Sequence, residues 1–343
     1  MTTHSGTTAL VAVDEAWFGS WRGPSILRLT NGLISYDGPA DASDRGVPRL
    51  DGTVLAPFTD SHVHLGLIDA ARLPGGGISR VVDLGWDPAV ASTWLAPRPS
   101  WPDVALAGGL LGAPDGYPSR SGWAPPEAAL PVSTASDAER VLSEMRDLGA
   151  TVAKISLNAE AGPVWDDAVL AAVVDIAHAL ALPVAAHVQG RGQAARALTA
   201  GVDLFAHTPF SEKLTDDLIE RLAEATTWIS TLDIHGHGAG GRTFRLAVDN
   251  LRRFHAAGGR VRYGTDLGNG PLPVGLNGRE LDALRTAGLD GDALLTSLVA
   301  TDADEPSRRL TFVPTPRPPA GELIPWLLTA TAPTADDLLE RLR

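Results

Sequence analysis

Two histidines stand two residues apart in Thr59-Asp60-Ser61-His62-Val63-His64-Leu65, directly after the apolar run Val54-Leu55-Ala56-Pro57-Phe58. If that run is a strand, its side chains alternate between two faces, and both imidazoles leave the same face at its end. Two neutral imidazoles converging from a rigid element supply half of a metal site. The plain alternative is a pair of strand-end histidines bonded to water or backbone. Ligands from elsewhere in the chain have to decide between the two.

The elements that would position such ligands are visible as alternation. Apolar strand candidates fall at 54–60, 80–84, 103–109, 151–157, 183–188, 203–208, 228–233 and 260–266. Helical patterns separate most of them. Ser136 and Glu139 have capping-box spacing, followed by Val141, Met145 and Leu148 at helical period. Val169, Val173, Ile176 and Leu180 repeat the pattern, as do Leu218 and Leu222, and Phe244 to Ala257 forms another amphipathic stretch. Buried apolar strands alternating with helices imply a parallel sheet. Eight such units imply a (β/α)8 barrel. A doubly wound open sheet is the alternative, weakened because no Gly-rich dinucleotide turn follows the first strand. Before this region, 9–13, 25–29 and 33–36 read as short strands, with turn signals at Asn31-Gly32 and Asp37-Gly38.

In a barrel of this kind functional side chains sit at the carboxyl ends of the strands. The first strand ends at His62 and His64, the fifth at His187, the sixth at His207 and the eighth at Asp266. The fourth carries Lys154 in an otherwise apolar run. Each has a bland reading: a buried histidine often bonds a carbonyl, and a strand-end aspartate often caps a helix. Six such groups on five strands of one rim favour a shared site.

Lys154 has its own argument. The chain has 28 basic residues, and only Lys154 and Lys213 are lysines, so arginine serves wherever charge alone is wanted. An ammonium in an apolar strand is costly unless paired. It could snorkel or pair with a carboxylate. A desolvated neutral lysine could instead combine with carbon dioxide to give a bidentate carbamate able to bridge two cations, which arginine cannot do. The carbamate is the favoured reading.

Two loops could reach a ligand. The Pro- and Gly-rich connection from Leu111 to Pro126 carries Tyr117, Arg120 and Trp123; it either touches a ligand or only covers the rim. A second His-x-His, His235 and His237, follows the seventh strand among glycines and suits substrate contact or a flexible loop better than a third metal. His178 and His255 fall in helical patterns and His4 in a frayed terminus.

Composition narrows the partners. The net charge of −13 argues against nucleic acid or anionic membrane and leaves a small-molecule substrate. The absence of cysteine excludes disulfides, thiolate zinc sites and a thiol nucleophile. The opening residues lack a basic n-region and an apolar h-region, and no run is long enough to span a bilayer, so a soluble cytoplasmic protein is expected. A homo-oligomer is compatible with all of this.

These residues resemble the amidohydrolase superfamily. The matching motifs are Phe58-Thr-Asp-Ser-His-Val-His-Leu65, Val152-Ala-Lys-Ile155, Ala186-His187, Phe205-Ala-His207 and Gly264-Thr-Asp266, within about residues 50–300. The segments from Ala177 to Gly190 and from Ala197 to His207 are similar to the branch near imidazolonepropionase and the Xaa-Pro dipeptidase-like (prolidase-type) members. The resemblance implies a distorted TIM barrel with a small β-sandwich built from both chain ends. The corresponding division is 1–55 for the first part of the sandwich, 56–303 for the barrel and 304–343 for a carboxyl segment completing a reduced sandwich and ending in a helix. It also implies zinc, two ions per chain, and hydrolysis of an amide or related C–N bond. His62, His64 and Asp266 would hold the more buried ion, His187 and His207 the second, and carboxylated Lys154 would bridge them. A bridging hydroxide would attack the carbonyl, with Asp266 as general base and then acid. Val188, Gln189, Gly190 and Arg191 follow His187 where deaminase-like members tend to carry a glutamate, which argues against deamination. A mononuclear hydrolase, deaminase or lactonase with unmodified Lys154, and a non-catalytic binding barrel, are the competing readings. The carboxyl end lacks the Gly-rich strand of many relatives; Arg309 to Val313 is its one candidate for a returning strand.

Overall fold

The computed structural model describes residues 8–119 and 121–342. Four strands come first: β1 (Thr8–Trp17), β2 (Trp21–Thr30), β3 (Leu33–Pro39) and β4 (Arg49–Leu55). Asn31 and Gly32 both take positive φ, 55° and 77°, which is what a two-residue hairpin between β2 and β3 requires. β1 pairs antiparallel with β2 and parallel with β4.

The parallel strands follow: β5 (Thr59–Val63), β6 (Arg80–Asp83), β7 (Asp103–Leu106), β8 (Leu110–Gly112), β9 (Ala129–Pro131), β10 (Ala153–Asn158), β11 (Val184–Gln189), β12 (Leu204–Phe205), β13 (Thr227–Ile229) and β14 (Arg260–Arg262). Strands β5, β6 and β7 form one sheet; β14, β13, β12, β11, β10, β8 and β9, in that order, form a second. Backbone hydrogen bonds join these sheets at both ends. Ser61 N–H donates to Tyr263 O at 3.0 Å and His64 N–H to Leu267 O at 2.8 Å, while Thr151 N–H donates to Leu106 O at 3.0 Å. β15 (Thr311–Val313) then returns antiparallel to β4, closing a five-stranded sheet in the order β15-β4-β1-β2-β3.

Seven of the parallel strands fall where the alternation placed them. The first differs: the run expected as one strand over 54–60 is divided, because Ala56-Pro57-Phe58 carries the chain from the five-stranded sheet into the other layer. Val54 and Leu55 belong to β4, and His62 to β5. β8 and β9, three residues each, were not foreseen. The helix expected from Ser136 starts at Ala135, and its capping box is Thr134 with Asp137 rather than Ser136 with Glu139. The Arg309–Val313 expectation is met by β15, and Thr334 caps a helix over Ala335–Arg341. Among the described residues the chain ends build one sheet; a second sheet facing it to make a sandwich is not seen.

The core is continuous from the small sheet into the helix–strand layers. Trp228 lies between Phe205 and Phe254 in near-parallel stacks, at 5.8 Å and 3.8 Å between ring centroids. Six further residues, Leu84, Ala107, Val152, Ala185, Ala206 and Ile229, come from six neighbouring strands or their ends and form a separate apolar cluster. It gives the strands that carry the polar groups a rigid, dry interior.

Candidate metal centre

β5 delivers His62, and the residue just beyond it is His64; both rings are buried. His62 Nδ1 pairs with Ala206 O at 2.8 Å and His64 Nδ1 with Gly85 O at 3.0 Å. Each carbonyl accepts, so each ring carries its proton on Nδ1 and turns the Nε2 lone pair inward. Both Nε2 atoms meet one oxygen: Asp266 Oδ1 lies 3.2 Å from His62 and 3.1 Å from His64. The three ligand atoms lie within 4.8 Å of one another.

Asp266 is brought there by a close approach and a left-handed residue. Gly264 passes so near β5 that a Cβ would meet Ile229 Cγ2 at 2.3 Å and His62 N at 3.1 Å. Asp266 itself has φ +57°, a conformation aspartate tolerates better than most residues. Buried Asp60 fixes this turn, accepting from His62 N–H, Thr265 N–H and the Thr265 hydroxyl at 3.1, 3.0 and 2.6 Å. Burial pushes the Asp60 carboxyl up to about 7, although these three bonds oppose it. Burial also pushes Asp266 up, but attraction to His62 and bonds with His64 and Asn269 outweigh it and hold the carboxyl well below the usual range.

The second group of candidates lies beside the first. His62 and His207 have ring centroids 4.7 Å apart, and His207 and His187 are also 4.7 Å apart, edge to face. His207 Nδ1 bonds Thr231 Oγ1 at 2.9 Å, leaving Nε2 free of protein partners among the described residues. Burial lowers all three of His62, His187 and His207, with the neighbouring Lys154 charge acting in the same direction; His187 falls to about 4. They are therefore neutral at neutral pH, the form that binds metal.

Lys154 is buried in β10, and its Nζ has no hydrogen-bond partner among the described residues. Burial lowers its pKa to about 7, against the opposing pull of Asp266 and Asp83. An orphaned buried amine beside four imidazoles and a carboxylate is the donor set that one or two divalent ions would complete. The six residues singled out by sequence thus come together, and they fit such ions.

The loop between β8 and β9 closes over them. Trp123 packs on His64 with centroids 4.4 Å apart, Tyr117 stacks on His187 at 5.0 Å, and Trp123 Nε1 donates to the Tyr117 hydroxyl at 3.0 Å. Burial raises the Tyr117 phenol to about 12. A cavity of about 500 Å³ opens at this loop, lined by Leu110, Tyr117, Leu130 and several prolines, and no histidine among the described residues lines it. Arg120 lies outside the described residues, as does His4. His235 is half-buried against Phe210, its Nε2 without a partner among the described residues and its pKa lowered to about 4 by burial. The expected loose loop is instead a helical turn, Asp233–His235, held by buried Glu280, which accepts from Leu232 N–H at 2.9 Å and Asp233 N–H at 2.7 Å. His237 is exposed and packs toward Gly270. His178 sits on a helix and pairs with Asp203 at 2.8 Å, away from the site.

Asp60, Asp83, Asn158, Gln189 and Thr231 also serve the site and were not singled out from the sequence. Asp83 holds the chain beyond His64 by accepting from Leu65 N–H at 2.7 Å and Gly85 N–H at 3.0 Å. A signal existed for Asn158 and Gln189. In β10, Lys154, Ser156 and Asn158 share one face by alternation, and register sets Ser156 beside His187 and Asn158 beside Gln189.

Fold and site geometry define a parallel α/β protein with a histidine- and aspartate-rich centre at its strand ends. Its fold is that of solved amidohydrolases and prolidase-type hydrolases. A Xaa-Pro dipeptidase with bound methionine in its active site aligns with TM-score 0.76 at 18% identity, over 95% of this chain and 97% of that one. A. niger ochratoxinase aligns at 0.73 and 14% identity over 95% and 94%, and molinate hydrolase at 0.71 and 14% over 97% and 94%. At these identities the likeness is one of fold. No protein-family model and no curated protein matches the sequence.

Proposed function

We propose that this protein is a metal-dependent hydrolase of the amidohydrolase superfamily that cleaves an amide or related C–N bond in a small molecule. The observation that carries this reading is the convergence of His62 and His64 Nε2 on Asp266 Oδ1 beside the orphaned Lys154 amine. The names of the proteins with similar folds support the reaction class: a dipeptidase, an ochratoxinase and a molinate hydrolase. The two seams of backbone hydrogen bonds and the inner apolar cluster support a closed (β/α)8 barrel over about 56–303, with 1–55 and 304–343 forming the smaller unit.

His62, His64 and Asp266 would hold one ion, and His187 and His207 the second. Neutral Lys154 Nζ would add to the carbon of carbon dioxide, forming an N–C bond as one C–O π pair moves to oxygen and Nζ loses a proton, and the resulting carbamate would be a further anionic ligand for the ions. Bound divalent ions supply a water of lowered pKa and polarise a carbonyl. Asp266, held ionised by His62 and His64, takes a proton from the attacking water and returns it to the leaving nitrogen. Tyr117 and Trp123 exclude bulk water from above and orient the substrate against the histidines.

The test is reconstitution of metal-depleted protein with Zn²⁺, with and without bicarbonate. Metal content and a ¹³C-bicarbonate NMR signal are followed, then activity on Xaa-Pro dipeptides, N-acyl amino acids and cyclic amides. The expected result is two ions per chain, a carbamate carbon signal, and hydrolysis that depends on both. One ion with free Lys154 in active protein would support the mononuclear alternative. No metal uptake would sink the hydrolase reading.

A further inference from the structure

We infer that Gln189, oriented by Glu160, is a positioning residue that fixes the tautomer of His187 so that its Nδ1 faces the second ion. The inference rests on the two-ion reading above. Gln189 Nε2 donates to Glu160 Oε2 at 2.9 Å. A carboxylate only accepts, so this bond decides which end of the Gln189 amide is which. Its Oε1 therefore points the other way, where it lies 3.1 Å from His187 Nε2.

The neighbouring amide agrees. Asn158 Oδ1 accepts from Glu160 N–H at 3.1 Å, which turns Asn158 Nδ2 toward Gln189 Oε1 at 2.9 Å. Asn158 Nδ2 is also 3.4 Å from His187 Nε2 and has a second hydrogen, but an unprotonated Nε2 would set its lone pair against that of Gln189 Oε1 at 3.1 Å. Oε1 thus receives two donors and can give none. His187 Nε2 must carry the hydrogen, which leaves the lone pair of the neutral ring on Nδ1. No described residue bonds that nitrogen. His207 is set the opposite way, with Nδ1 on Thr231 and Nε2 free. The two histidines of the second ion thus turn different nitrogens toward it; Gln189 fixes the tautomer of His187, whereas the Thr231 hydroxyl can donate to or accept from His207 Nδ1.

Outer partners of this type are worth about 10–100-fold in metal affinity. The experiment is a Co²⁺ titration of the metal-depleted full chain in bicarbonate, followed by visible absorption with chelator competition. Gln189→Leu is expected to keep the first ion at wild-type affinity and weaken the second by about 10–100-fold. The exchanged pair Gln189→Glu with Glu160→Gln keeps an acceptor at 189 and a donor at 160, and is expected to recover most of that loss. In parallel, ¹⁵N NMR of metal-free wild-type protein at pH 7 should show His187 as the Nε2–H tautomer, a readout that needs no variant to fold. Equal affinities in Gln189→Leu, an exchanged pair no better than Gln189→Leu, or an Nδ1–H His187 each overturn the inference while leaving the two-ion reading intact. A wild-type chain that takes up only one ion overturns both.

Discussion

Removing Lys154 should make the metal-free protein more stable, although it should abolish the second ion. The amine is buried without a partner, and its pKa is lowered from 10.5 to about 7. Between those values the unfolded chain holds a proton that the folded chain has released, so stability rises with pH across that window. At about 1.4 kcal/mol per unit, the cost of burying this lysine is about 4 kcal/mol at pH 7 and about 2 kcal/mol at pH 9, vanishing toward 10.5. Lys154→Met keeps a similar volume without the titrating group. In bicarbonate-free, chelator-treated samples, urea unfolding should show the variant stabilised by up to about 4 kcal/mol at pH 7 and by about half that at pH 9. Loss of the Asp266 attraction, already included in the lowered pKa, does not reverse the sign. A variant less stable than wild type at pH 7, or a gain that does not shrink with pH, would refute the reasoning that Lys154 is stored as a strained, reactive amine.

Asp266→Asn keeps a residue that tolerates the left-handed conformation, so thermal unfolding should move little while turnover falls by about 10²–10⁴, read as kcat on whichever substrate the panel yields. Trp123→Ala removes the ring over His64 and the donor to Tyr117; a loss near 1.4 kcal/mol predicts a KM about tenfold higher with kcat little changed, and an unchanged KM would place substrate elsewhere. His235, lowered to about 4 from 6.5, contributes stability to the metal-free protein that is lost as pH falls through that range. His235→Phe should therefore flatten the difference between urea midpoints at pH 6.5 and 4.5 by about 2 kcal/mol of unfolding free energy.

The groups that could do chemistry were legible in the sequence because each interrupts an apolar strand or ends one. Lys154 is visible as a charge in β10, and His187, His207 and Asp266 as polar stops after runs that alternation alone defines. The same alternation located the main parallel strands and most of the helices between them. Short pieces escaped: β8 and β9 have too few residues to show a period, and the division at Ala56-Pro57-Phe58 depends on which sheet each half joins.

What only the tertiary structure decided is pairing across distance. Sequence placed His62 and Asp266 at strand ends, but their meeting needs Gly264 to let the last strand approach β5 and Asp60 to pin the turn from the far end of the chain. It offered Gln189 only as a missing glutamate; the register of β11 on β10, which sets it beside Asn158, and its reach to His187 and Glu160 give it a task. Tyr117 and Trp123 were loop aromatics until the loop's path put one ring on His187 and the other on His64. The physical reason is the same in each case. Periodicity along a chain fixes which face a side chain leaves, whereas its partner is fixed by strand register and loop path, which the packing of the whole molecule determines.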